Sequence, residues 1–229
     1  GDVSRLPSPE VYMEAVPAMP MAARAEDQVQ QREFFEYKLY EIQRPVTIGS
    51  NETKQIEFVS GTDILARTFY VYDASPGYFN YGYLMEDQYY GQTGVTNISS
   101  YLEFTTGEES GLDADLPAGR IRVFQQDIDG AALLIGENRI DHTPKGETIR
   151  VYLGNAFDLV GERTQKDFQL VTGRVLQETY EIRLRNRKAS ETVEIRVPER
   201  LFRWSNWQIL DSSHPYTQLD SSTIEYRVP

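Results

Sequence analysis

The 229-residue chain contains no cysteine. That excludes disulfide staples, thiolate metal sites and a cysteine nucleophile in one step. It does not fix the compartment, because many exported proteins also lack cysteine. Long apolar runs are missing too: none approaches the roughly 20 residues needed to span a bilayer, and no leader pattern is visible at the N-terminus. Basic residues are scarce, with 23 Lys and Arg against 35 Asp and Glu, a formal charge of −12. The deficit is uneven. Residues 1–33 hold three basic and six acidic side chains, residues 34–110 four and eleven, and residues 111–229 sixteen and eighteen. A phosphate backbone needs clustered Lys and Arg, so the balance argues against nucleic acid and against electrostatic docking on anionic lipid.

What is present is β patterning. From Leu116 to Phe168 the chain writes period-2 segments separated by turn chemistry. Arg120-Ile121-Arg122-Val123 alternates, Asp129-Gly130 supplies a tight turn, and Ile149–Leu153 alternates again behind Pro144-Lys145-Gly146. Further segments are expected at Phe34–Tyr40, Lys54–Val59, Ile64–Tyr72, Ile98–Thr105, Phe157–Val171, Trp204–Leu210 and Thr223–Val228. Gln177–Asn186 and Thr192–Val197 read as a hairpin pair, with Val193, Ile195 and Val197 inward and Glu194 and Arg196 facing water. Residues 1–33 read as an irregular linker, because Pro7, Pro9, Pro17 and Pro20 prevent a continuous helix. A short helix over Ala22–Arg32 is the alternative there.

About a dozen strands with regular turn signals imply an all-β, antiparallel β-sandwich architecture. The expectation is two packed sandwich-like subdomains, 34–172 and 173–229, the last immunoglobulin-like unless it shares a core with the first.

The blocks LPAGRIRVF, GENRIDHTPKGE, LGNAFDLVGER, YEIRLRNRK, WQIL, SSHPY and TIEYRVP occur in order. Over roughly residues 34–229 they resemble the bacterial family catalogued as domain of unknown function 4139, which includes the mucoidy-inhibitor-A-like envelope proteins. The resemblance implies a β-rich C-terminal domain of an exported or envelope-associated protein, periplasmic or extracellular. Members of that family continue past the TIEYRVP strand, so this chain reads as an excised or processed piece. Edge pairing of the exposed sheet, an edge-strand dimer, is then expected.

The segment Ser75–Gly94 is the candidate working surface. Tyr78, Phe79, Tyr81, Tyr83, Tyr89 and Tyr90 sit there among four glycines, and tyrosine offers a flat ring and a hydroxyl at low entropic cost. The plainer reading packs these rings over the sheet. Asp127-Ile128-Asp129-Gly130 has the look of a calcium loop but lacks carboxylates at its first and twelfth positions, so a hairpin turn is expected.

Asp141, His142 and Pro144 are expected to fix a turn. A triad of Ser213, His214 and Asp141, or a metal site of both histidines with Asp211, can be drawn on paper only. Asp158, Glu162 and Arg163 form the densest charged group, expected as a structural ion-pair network with Arg139 or Lys166 nearby. Trp204 and Trp207 are expected to pack. No catalytic residue, cofactor or metal is assigned. The functional expectation is a non-catalytic envelope or secreted module that binds a protein or glycan partner or carries assembly contacts. The rival is a carbohydrate-active hydrolase with paired carboxylates, and a third reading is a purely structural extension domain.

Overall fold

A computed structural model describes residues 29–229 except 36, 43–44, 58, 76 and 78–82. The chain divides after Ser60 into two units. In the first, β1 (Val29–Phe34) and β2 (Tyr37–Ile42) form an antiparallel hairpin, Phe34 opposite Tyr37. Most of the linker expectation, residues 1–28, lies outside the described residues, but 29–34 is strand. Residues 52–57 carry no strand.

The second unit is all-β; its one helical element among the described residues is a 3-10 turn at Glu108–Ser110. No helix among those residues is long and apolar enough to cross a membrane. The strands are β3 (Ala66–Val71), β4 (Asn97–Thr105), β5 (Gly119–Gln126), β6 (Ala132–Ile140), β7 (Thr148–Thr172), β8 (Val175–Asn186), β9 (Ile195–Arg200), β10 (Tyr216–Gln218) and β11 (Thr223–Val228). Seven of them make one sheet in the order β10-β11-β9-β3-β4-β7-β8, and β5 and β6 make a separate ribbon. The large sheet is mixed, not wholly antiparallel, because β3 and β9 run parallel where Tyr70 meets Ile195.

Strand β7 organises the fold. Its 25 residues far exceed the usual strand length. Residues 148–160 pair with β4 and residues 159–172 with β8, so one strand serves two neighbours in succession. The expected separate segments Ile149–Leu153 and Phe157–Val171 are joined through Gly154. There the register against β4 slips and φ reaches +117°, a conformation open to glycine. The bend brings the far half of β7 over the inner face of β3 and β9. Gly161 is consequently so close to the Tyr72 ring that a Cβ would lie 2.2 Å from it.

Between these layers sits the core of Tyr70, Tyr72, Ala74, Ile98, Leu159, Val193, Ile195 and Val197, with Ile182, Leu184 and Tyr226 against it. Strands from both sides of residue 172 contribute to the sheet and to this core. Gly173 marks only the tip of the β7–β8 hairpin. The expected hairpin of 177–186 with 192–197 does not form: β8 pairs with β7, and β9 with β11 and β3. The Trp204–Leu210 segment bends at Ser205-Asn206 and is not a strand. Asp127–Gly130 is the β5–β6 turn, with Asp127 N–H donating to Ala131 O at 2.8 Å and Gly130 at φ +88°.

Candidate functional site

The inward parity of three strands carries charge where the pattern calls for an apolar residue. On β9, Glu199 follows Ile195 and Val197; on β7, Arg163 follows Leu159 and Gly161; on β8, Glu178 and Tyr180 precede Ile182 and Leu184. Folding β7 over the sheet makes these positions converge. Arg163 donates through Nε to both oxygens of Glu199 at 3.0 Å, and its guanidinium lies 3.6 Å from the centre of the Tyr180 ring. The Tyr180 hydroxyl donates to Glu178 Oε2 at 3.1 Å. Burial pushes the Glu199 carboxyl above its ordinary value despite the opposing charge of Arg163, and burial likewise raises the Tyr180 phenol.

This cluster holds the tyrosine-rich segment. Arg203, buried beyond the end of β9, donates through Nε to Glu178 Oε2 at 3.0 Å. Its two terminal nitrogens reach four backbone carbonyls, those of Met85, Asp87, Gln88 and Tyr90. A guanidinium has five N–H donors in a rigid fork, and here each has an acceptor. Arg163 Nη1 adds a bond to Gly91 O at 3.2 Å. Gly91, at φ +87°, lies so close to the Phe202 ring that a Cβ would fall 2.4 Å from it. Asp87 closes the turn by accepting from Tyr89 N–H at 2.9 Å.

The outcome for the tyrosines is divided. Tyr90 packs on Phe202, ring centres 5.5 Å apart. Tyr83 and Tyr89 stand outside, 61% and 76% exposed. Tyr78, Phe79 and Tyr81 lie outside the described residues. The described part of the segment is thus a turn whose backbone is held from 85 to 91 and whose Tyr89 ring points outward.

A second charged cluster lies on the opposite face of the sheet. Arg67, Glu103 and Arg150 are directly opposite one another across β3, β4 and β7. Arg67 Nε and Arg150 Nε donate to Glu103 at 2.9 and 2.5 Å. Arg196, whose parity predicts a water-facing side chain, is instead buried, its guanidinium 3.7 Å from the Phe69 ring centre and its Nη1 3.6 Å from Glu103 Oε2. The exposed strand position is covered because Phe69, stacked on Tyr101, offers the cation an aromatic face.

The remaining sequence candidates are dispersed. His142 Nδ1 accepts from Ala118 N–H at 3.3 Å and Thr143 Oγ1 donates to Asp141 O, while Pro144 O accepts from Thr106 Oγ1 and Glu147 N–H. Ser213 Oγ lies 3.1 Å from His214 Nδ1, a contact between adjacent residues, and among the described residues no carboxylate bonds that ring. Those residues also contain no cluster of three or more metal-ligating side chains. Asp158, Glu162 and Arg163 are not brought together: Glu162 pairs with Arg185 on β8, Arg163 turns inward to Glu199, and Asp158 is exposed. Trp207 donates to Ser221 O at 2.8 Å and Trp204 is partly exposed.

Arg203, Glu178 and Glu199, which hold the turn, belong to no motif legible in the sequence. A signal for two of them was present, a carboxylate on the inward parity of an otherwise apolar strand. Comparison of the chain with protein-family models, with curated proteins and with solved structures finds no match in any of the three.

Proposed function

We propose that this chain is a non-catalytic binding module of a bacterial cell envelope, related to the domain-of-unknown-function-4139 proteins its sequence blocks resemble. Its tyrosine turn at 83–91 engages a protein or glycan partner outside the membrane. The observation that carries the reading is the clamp of Arg203 on four carbonyls beneath two exposed rings. Recognition costs less when the loop is ordered beforehand, and Tyr89 is presented on backbone already held, with Tyr83 exposed just ahead of it. The buried and partly buried carboxylates support the same reading. Glu178, Glu199 and Glu103 each accept from arginine and serve as anchors within the fold.

The test is retention on immobilised bacterial envelope polysaccharides and envelope proteins, comparing the chain with a Tyr83→Ala/Tyr89→Ala variant. Both positions are exposed, so the variant should keep its thermal midpoint. Retention of the parent with loss in the variant is the expected result. Equal retention, or none by either, removes the tyrosine turn from consideration.

A further inference from the structure

We infer that two copies of this chain associate through the outer edges of their β8 strands, antiparallel and centred on Ile182. The pairing stands apart from the tyrosine turn and survives or fails separately from it. In the seven-stranded sheet β8 is the last strand, and among the described residues no strand pairs with its outer edge. Twelve residues of edge are long, whereas the opposite edge, β10, has only three. An unpaired edge carries a row of N–H and C=O groups ready for another strand.

The occupant is chosen by charge and parity. Even-numbered residues of β8 face the core: Ile182 and Leu184 pack against it while remaining only partly buried. A partner strand must keep that face continuous, which requires even residues opposite even ones. Among such antiparallel self-pairings, centring on 181 or on 183 sets Glu181 against Glu181 or Arg183 against Arg183. Centring on 184 sets Arg183 against Arg185. Centring on 182 instead places each Glu181 opposite the Arg183 of the second copy. On the core side it sets Ile182 against Ile182, Tyr180 against Leu184 and Glu178 against Asn186. Both faces are satisfied by one register.

Within one copy Glu181 pairs with Arg183 at 3.0 Å and with Lys166 at 2.8 Å. These are half-exposed side chains that a second copy can share. Edge strands that reject partners tend to carry Lys, proline or a bulge. The mixed, self-complementary charges of β8 select one instead, and a two-fold axis makes every contact occur twice.

Sedimentation equilibrium of the whole chain, from micromolar to submillimolar concentration, is the measurement. A monomer–dimer equilibrium is expected. Glu181→Arg and Arg183→Glu each turn two attractive pairs repulsive, and each should weaken the dimer by about tenfold. Combining the two restores opposite charges across the axis and should recover the parent affinity. The absence of cysteine permits a second readout: Ile182→Cys should oxidise to a disulfide-linked dimer, since residue 182 meets its own counterpart only in this register. Circular dichroism confirms that each variant is folded, and the exposed 181 and 183 positions decide the question should Ile182→Cys unfold. A monomer at every concentration would overturn the proposal. So would a dimer indifferent to both single reversals, or a folded Ile182→Cys chain that stays a free thiol.

Discussion

Replacing Glu103 with glutamine removes one charge and almost no volume from the outer face of the sheet. The side chain is 7% exposed and lies within ion-pair distance of Arg67, Arg150 and Arg196. Burial alone would raise its pKa. Hydrogen bonds from Arg150 and Arg67, with the charges of Arg150 and Arg196, outweigh burial and hold it at about 2 against an ordinary 4.5. Because the folded value lies below the unfolded one, the carboxylate stabilises the fold above pH 4.5. That contribution is lost as pH falls toward about 2. At about 1.4 kcal/mol per pH unit the full effect is about 3 kcal/mol. Glu103→Gln should therefore cost about 3 kcal/mol at neutral pH, chiefly because the charged hydrogen bonds from Arg150 and Arg67 are lost; Arg196 keeps its ion pair with Glu194. Urea unfolding of parent and variant over a pH series gives the difference directly, and the other titrating groups cancel in it. The gap should close as pH falls through the window between 4.5 and about 2. A gap below about 0.5 kcal/mol at neutral pH, or one that persists undiminished in acid, would refute the reasoning.

Two further substitutions probe the folding of β7 over the core and the clamp on the tyrosine turn. Gly161→Ala places a methyl group against the Tyr72 ring, with no room at 2.2 Å, and should cost about 1–3 kcal/mol in urea denaturation. An unchanged midpoint would show that Tyr72 can move aside. Arg203→Met keeps the apolar stem but strips the donors from four carbonyls and from Glu178. It should cost about 3 kcal/mol or more and raise hydrogen exchange at residues 85–91 selectively, with uniform exchange counting against the clamp.

Local alternation was enough to place most strands, because burial of one sheet face imposes period 2 on residues such as Val193, Ile195 and Val197. It could not say which strands are neighbours. The pairing of β8 with the far half of β7 lies beyond the irregularity at Gly154, and a glycine alone does not declare whether a strand ends or swings. Arg196 shows the other limit. Its outward parity was legible, but its burial depends on Phe69 from a strand 127 positions earlier in the chain. The tyrosine segment announced itself by composition. What holds it did not, because Arg203 looks like any charged residue after a strand until Glu178 and the carbonyls of 85–90 arrive beside it.

The two buried arginine–glutamate clusters answer acid in opposite ways, and the difference comes from partner number. Glu103 has three guanidiniums and is held below the ordinary carboxylate range; Glu199 has Arg163 as its hydrogen-bonded cation, and burial prevails. For Glu199 the folded value lies above the unfolded one. Its contribution is complete below the unfolded pKa and declines as pH rises through the folded pKa, so ionisation at neutral pH is a cost the cluster bears. Mild acid relieves that cost before it touches Glu103. Protonation of Glu199 also leaves Arg163 its bond to Gly91 O and its contact with the Tyr180 ring. The clamp of Arg203 on Met85, Asp87, Gln88 and Tyr90 does not pass through Glu199 at all. Protonation of Glu199 therefore leaves the backbone contacts of the tyrosine turn in place, and the acid response of Glu199 and the presentation of the binding surface should separate.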